Sequence, residues 1–63
     1  MIIDNQGSVV IFEPEGNLEM EWVMLNVDCE PWQWQGGGLV VDWRMAEDLE
    51  DGIRDAGFVV QHI

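Results

Sequence analysis

The sequence contains no lysine and only two arginines, Arg44 and Arg54, against 13 acidic residues, so its formal net charge is −11. A protein that binds nucleic acid in the ordinary way needs a basic surface for the phosphate backbone. A protein that docks on an anionic membrane needs a basic surface too. The composition therefore excludes ordinary nucleic-acid binding and argues against membrane docking, and the partner that it favours is a basic surface.

Cysteine is represented only by Cys29, so no intrachain disulfide can form, and a reducing compartment is expected. The N-terminal residues have neither the basic region nor the apolar run of a signal peptide. No apolar stretch approaches the roughly 18 to 20 residues of a membrane span. We therefore expect a cytoplasmic protein, and the initial Met1 without a tag predicts a complete small reading frame.

Catalytic signatures are also missing. A nucleophile needs a base and an orienting group close to it, but the single histidine is His62, near the C-terminus, and Ser8 and Cys29 have no basic neighbour in the sequence. Gly36–Gly38 is not followed by the Gly-Lys-Ser/Thr of a phosphate loop, so it predicts a turn. We expect no enzyme and no cofactor.

Large apolar side chains, in contrast, are well represented. Four tryptophans and two phenylalanines occur within a chain that is 48% hydrophobic. This content is sufficient for a packed core and argues against disorder, which strong acidity with few aromatics would otherwise suggest. We expect one small domain, residues 1–63, which buries only about 60% of its unfolded surface.

The clearest helical pattern lies in Asp42–Phe58. Asp42 can cap the N-terminus, and Gly57 can provide the left-handed residue that ends the helix. The pattern predicts a helix over about Trp43–Ala56. Its apolar residues recur at three- and four-residue steps and share one stripe: Met45, Leu49, Ile53 and Ala56.

Most of the remaining chain has the composition of strands. Four segments are rich in β-branched and apolar residues or alternate: Met1–Asp4, Ser8–Glu13, Leu39–Val41 and Phe58–Ile63, with a further short strand at Trp32–Gln35. In Leu18–Val27 apolar residues alternate with Glu19 and Glu21, which favours a strand paired with Ser8–Glu13, although its leucine, glutamate and methionine also suit a helix. The predicted fold class is α+β, a small antiparallel sheet of about four strands with one helix packed on one face.

The carboxylates are the first candidate binding group. On the predicted helix, acids at three- and four-residue spacings are about 5 to 6 Å apart at Cβ, and on a strand Glu19 and Glu21 would point the same way about 6.6 to 6.8 Å apart. These separations resemble those of neighbouring phosphates, so rigid rows of carboxylates can copy the charged backbone that nucleic-acid proteins bind. The alternative is a solvated face that keeps the protein soluble. The candidate residues are Glu19, Glu21, Glu47, Asp48, Glu50, Asp51 and Asp55.

A dedicated metal site is not expected among these acids. The calcium-loop pattern D-x-[DN]-x-[DN]-G fails with Gly52 in the glycine position, because Glu47 and Leu49 stand where Asp or Asn is needed.

The tryptophans are the second candidate group. Trp22 and Trp43 have apolar neighbours and are predicted in the core. Trp32 or Trp34 could be an exposed anchor for a partner's pocket; the alternative is that all four tryptophans build the core, since a small protein needs large side chains there.

The length, the absence of lysine and the acids on regular elements resemble a class of small acidic bacteriophage-encoded inhibitors of host defence, which includes anti-CRISPR proteins and other DNA mimics. The resemblance is one of composition over the whole chain, with no motif to match. It implies a protein that binds a basic nucleic-acid-binding protein or complex, such as a CRISPR-Cas effector, and blocks its DNA or RNA site in the host bacterial cytoplasm.

The alternative function is a protein-binding module that acts through tryptophan and edge-strand contacts, as in a phage accessory protein or an antitoxin-like neutraliser. The two functions differ in their dependence on salt, which weakens contacts between charges and has little effect on apolar ones. In either case we expect a monomer or a weak homodimer, because charge repulsion opposes the burial of an edge strand or an exposed tryptophan.

Overall fold

A computed structural model describes all residues from 1 to 63. Its strands are β1 (Ile2–Asn5), β2 (Val9–Glu13), β3 (Trp34–Gln35), β4 (Gly38–Asp42) and β5 (Gln61–His62). The helices are α1 (Asn17–Asn26) and α2 (Trp43–Asp55), and a 3-10 turn at Pro31–Gln33 precedes β3. The predicted α+β class is confirmed, with five strands instead of about four and two helices instead of one.

The strands form one mixed sheet in the order β3-β4-β2-β1-β5. The four strands from β3 to β1 pair antiparallel, whereas β5 pairs parallel to β1 through Gln61 and His62. The N-terminal strand β1 therefore lies inside the sheet, between β2 and β5. The predicted strand over Phe58–Ile63 is also longer than β5, which has two residues.

One face of the sheet builds the core. The register places Ile3 opposite Phe12 and Phe12 opposite Leu39, and the next pair on this face is Val10 opposite Val41. All five are buried, as alternation along a strand requires. Val23 of α1 and Ile53 of α2 join the same cluster, together with Met1. Both helices therefore pack on this face.

The segment Leu18–Val27 is helical, so the prediction of a strand there is wrong. Both sides of β2 are filled by β1 and β4, which leaves no place for the predicted hairpin partner. The leucines, methionines and glutamates of α1 favour a helix. The Glu19 carboxylate also accepts a hydrogen bond from the Glu15 backbone N–H at 2.9 Å, which stabilises the first turn.

Helix α2 has the predicted ends. The Asp42 carboxylate accepts the Arg44 backbone N–H at 2.9 Å, and Asp42 is thus the N-cap. At the other end Gly57 has a φ of 92°, its N–H donates to Arg54, and the Phe58 N–H donates to Ile53. This pair of bonds is a Schellman motif, which satisfies two of the last carbonyl groups of the helix.

The predicted apolar stripe of α2 is correct only in its centre. Ile53 is fully buried and Leu49 is half-buried, but Met45 and Ala56 are exposed. Ala46 takes the place of Met45 at the core. Helix α2 is therefore rotated about its axis relative to the prediction, so that Met45 lies at the exposed edge of the buried stripe.

A tight hairpin joins β3 and β4. Gly36 and Gly37 have positive φ values of 58° and 83°, which glycine adopts without strain. Gly38 is needed for another reason, since a Cβ there would lie 2.5 Å from the Cγ2 methyl of Ile11. The glycine run is therefore a turn, as predicted, and its last residue lets β4 approach a side chain of β2.

Candidate functional site

Four of the predicted carboxylates lie together on the outward side of α2. At about 100° per residue, Glu47, Asp48, Asp51 and Asp55 fall within an arc of about 100° opposite the buried Ile53. All four are exposed and none forms a salt bridge. We call these four residues the acidic face of α2.

Glu50, in contrast, is used within the fold. Its side chain is 21% exposed, and its Oε2 lies 2.8 Å from the Arg54 guanidinium and 3.0 Å from Nε2 of His62. Burial alone would raise the pKa of this carboxyl group, but the contacts with His62 and Arg54 outweigh it and lower the pKa. The carboxylate joins α2 to β5 and is not part of the acidic face.

Glu19 is also neutralised internally. Its carboxylate lies 2.7 Å from the Met1 amino group, which Glu15 approaches to 3.2 Å. Burial is the largest single influence on the pKa of Glu19 and raises it, but the bonds from the Glu15 N–H and the Met1 amine lower the pKa overall. The predicted row of Glu19 and Glu21 is therefore wrong, because on a helix Glu21 points outward and away from Glu19.

The charge on the Met1 amino group leads to a prediction about alkaline pH. Burial lowers the pKa of this amine, but the hydrogen bonds and charges of Glu19 and Glu15 outweigh it and raise the pKa above 8.0. Its stabilising effect is therefore complete below pH 8 and is lost as the pH rises through the folded-state pKa. We expect Glu19→Gln to cost about 1 to 2 kcal/mol at pH 7 and to lessen the loss of stability between pH 7 and 10.

The measurement is urea unfolding at pH 7 and pH 10 in a Cys29→Ser background. The chain has no lysine and no tyrosine, so without the thiol the amine is the only group with an ordinary pKa inside this range. Glu21→Gln, on the outward side of α1, is the matched control and is expected to behave as the parent. An equal alkaline loss in the Glu19→Gln protein would contradict the assignment.

Both arginines of the chain form ion pairs with acids of the chain itself. Arg44 forms a two-pronged contact with Asp42, with Nε and Nη2 each 3.0 Å from a carboxylate oxygen, and this contact lowers the pKa of Asp42 to about 2. Arg54 binds Glu50. The acidic face of α2 has no positive side chain paired with it, so the surface that it presents is negative.

The four tryptophans divide differently from the prediction. Trp32 is 71% exposed at the 3-10 turn, whereas Trp34, on β3, is half-buried and packs against the core cluster. Trp22 is half-buried and meets Phe58 edge to face, with ring centroids 6.3 Å apart. The prediction that Trp43 lies in the core is wrong, because it is 58% exposed at the start of α2.

A groove that the sequence patterns do not predict opens between the two helices. It has a volume of about 760 Å³ and is floored by β4. Its apolar walls include Trp22, Val27, Trp32, Met45 and Leu49, and Asp28, Asp42 and Asp48 are the acidic residues at its rim. The sequence of α1 does not predict the groove, because α1 is apolar on nearly every side. Trp22 points to the groove, whereas Leu18, Met24 and Leu25 are exposed.

A smaller pocket of about 270 Å³ lies on the other side of α2. Its lining includes Trp43, Glu47, Glu50 and His62, and neither Ser8 nor Cys29 reaches it. Nowhere in the structure do three His, Cys, Asp or Glu side chains come together in a group that could hold a metal ion.

Comparison with known proteins gives no relative. No protein-family model, no curated protein and no solved structure matches the chain. Neither helix combines the length and the hydrophobicity that a membrane crossing requires. The geometry of the acidic face of α2 and of the groove is therefore the basis for any inference about function.

Proposed function

We propose that this protein is an acidic inhibitor that binds a basic nucleic-acid-binding protein and occupies its DNA or RNA site. The observation that carries the proposal is the acidic face of α2, where four carboxylates without a positive partner share one arc of a rigid helix. CRISPR-Cas effectors are one group of proteins with a basic site of this kind. The proposed place of action is the bacterial cytoplasm.

The separation of these charges supports mimicry of a nucleic-acid backbone. Residues three and four positions apart on a helix lie about 5 to 6 Å apart at Cβ, and this is the relation of Glu47 to Asp51, of Asp48 to Asp51 and of Asp51 to Asp55. A protein that binds phosphates with lysine and arginine side chains could therefore form several ion pairs with α2 at once. The internal use of Glu19 and Glu50 confines the proposed contact to α2 and its surroundings.

The net charge supports the same proposal through the rate of association. A formal charge of −11 on 63 residues attracts a positively charged site over roughly a Debye length, which is about 8 to 10 Å at ordinary ionic strength. Contact with a basic partner also relieves the repulsion among these acids. Both effects decrease when salt is added, and binding should therefore weaken steeply with ionic strength.

The test compares two double variants of the same net charge. In Glu47→Lys with Asp51→Lys the acidic face of α2 is reversed, whereas in Asp4→Lys with Glu13→Lys the changes lie on β1 and β2 and point to the sheet face opposite the helices. Each protein is immobilised, exposed to bacterial lysate at low salt, and washed with duplex DNA as a competitor. We expect nucleic-acid-binding proteins to be captured by the parent and the control, to be released by DNA, and to bind the α2 variant at least about tenfold more weakly.

Equal capture by the two double variants would overturn the proposal, provided that circular dichroism gives both the parent's helix content. Captured proteins that DNA and salt both fail to release would overturn it as well.

A second candidate function, a protein-binding module that acts through tryptophan, is favoured by the 71% exposure of Trp32. For that function salt would matter little, and truncation of Trp32 would matter more than reversal of the acids.

A further inference from the structure

We propose that the groove between α1 and α2 binds one large apolar side chain of the protein partner, on a segment where lysine or arginine flanks that side chain. This inference rests on the proposed function, since it assumes a basic partner, and it adds the contact that would give the complex its specificity. The observations that support it are the groove's dimensions, its apolar walls, its acidic rim and the ion pairs that bind both arginines within the chain.

The groove has the size and the surface of a binding site for side chains. Its volume of about 760 Å³ falls in the range of about 300 to 1,000 Å³ that is typical of ligand pockets. Trp22 and Val27 form the side towards α1, and Met45 and Leu49 form the side towards α2. Removal of an aliphatic or aromatic side chain from water into this space is favourable in proportion to the apolar area covered.

Trp32 lies at the mouth of the groove. Its indole is part of the groove lining but is mostly exposed, so a partner segment in the groove would cover it. Tryptophan is enriched among the residues that dominate binding energies at interfaces. The face of an indole also attracts an arginine or lysine cation, which suits a segment with basic residues beside its apolar anchor.

The charges around the groove select a cationic segment. Asp28, Asp42 and Asp48 line it, and no basic residue does. Asp42 is bound by Arg44, whereas Asp28 and Asp48 form no salt bridge. Asp48 also belongs to the acidic face of α2, so a partner that binds that face extends directly to the groove.

The structure argues against a second copy of this chain as the occupant. A second copy has no lysine, and its two arginines are held by Asp42 and Glu50. It would therefore bring carboxylates to a rim that is already acidic, and like charges at an interface oppose association. The chain's own C-terminus is also distant, because β5 lies at the opposite edge of the sheet from β3.

Insertion of a side chain is favoured over addition of a strand at this edge. β3 pairs with β4 only at Leu39 and Gly38, so the later part of β4 has no neighbouring strand there. However, the Gln33 side-chain amide donates to the Val40 carbonyl oxygen at 3.2 Å and occupies part of that edge. A partner that contacts the walls and leaves this hydrogen bond intact avoids the cost of breaking it.

The first experiment uses three capped synthetic peptides as probes and measures their binding to the protein by isotope-edited NMR of the indole N–H signals. The probes are Lys-Arg-Val-Phe-Val-Arg-Lys, the same peptide with its three apolar residues replaced by serine, and the same peptide with its four basic residues replaced by glutamate. We expect the first peptide to bind at least about tenfold more tightly than either control and to shift the signals of Trp22 and Trp32 more than that of Trp43. Equal affinity for the first peptide and its serine version would overturn the proposal.

The second experiment compares Trp32→Ala with Trp43→Ala. Both indoles are mostly exposed and both variants should fold, but Trp43 does not line the groove. We expect only Trp32→Ala to weaken binding of the first peptide, and binding of the proteins captured from lysate, at least about tenfold. An equal effect of the two substitutions, or a parent protein that forms a dimer dependent on Trp32 in sedimentation analysis, would overturn the inference.

The failures of the two proposals can be distinguished. If Glu47→Lys with Asp51→Lys abolishes capture while Trp32→Ala leaves it unchanged, the groove inference fails and the proposed function is retained. If Trp32→Ala abolishes capture while the acidic double variant binds normally, the proposed mimicry of nucleic acid fails.

Discussion

Phe12→Ala is expected to remove a large share of the protein's free energy of unfolding. Phe12 is the largest of the fully buried side chains, with 1% of its surface exposed, and it lies between Ile3 and Leu39 on the inner face of the sheet. Removal of a buried phenylalanine side chain costs about 3 to 5 kcal/mol. A domain of this length has a total stability of roughly 3 to 9 kcal/mol. Urea unfolding followed by circular dichroism measures the loss.

Ile11→Ala is the matched control for this prediction. Ile11 is the preceding residue of β2, points to the outer face of the sheet and is only half-buried. The substitution should therefore lower the free energy of unfolding by only about 1 kcal/mol, since removal of a partly exposed side chain leaves a smaller cavity. Equal losses for the two substitutions would contradict the assignment of Phe12 to the inner face and of Ile11 to the outer face.

The second large effect is expected at Ile53→Ala in α2. Ile53 has no exposed surface and joins the helix to the core of the sheet. The substitution should cost about 2 to 5 kcal/mol in the free energy of unfolding, although alanine is the better helix former. Thermal unfolding should give a fall in Tm of several degrees or more for a domain of this size.

Met45→Ala separates this packing effect from helix propensity. Met45 lies two turns earlier on the same predicted stripe but is 64% exposed. We expect a change within about 0.5 kcal/mol, as for most surface substitutions. A loss at Met45 as large as that at Ile53 would mean that the stripe is buried along its whole length, contrary to the rotation of α2 in the structure.

These two helices illustrate what the sequence can predict. Helix α2 has a cap at Asp42, a terminating Gly57 and acids opposite its apolar residues, so local signals agree on its type and its ends. Helix α1 has no comparable signals, because it is apolar on most sides and alternates by coincidence over Leu18–Met24. Its helical state depends on the occupation of both sides of β2, which is a property of the whole sheet.

The same distinction applies to the candidate site. The position of Asp51 and its neighbours on one face follows from helical spacing alone, and it was predictable. The internal use of Glu19 depends on the Met1 amine, 18 positions away in the sequence, and that of Glu50 depends on His62 of β5. The groove likewise requires the relative placement of two helices and a turn, which no local pattern contains.

The close approach of β4 to β2 has an evolutionary consequence. The Cγ2 methyl of Ile11 fills the space that a side chain at position 38 would need, and a β-branched residue has little rotational freedom to move it away. Divergence at these two positions is therefore coupled across the sheet. A descendant of this sequence could acquire a side chain at Gly38 only after, or together with, a smaller residue at Ile11.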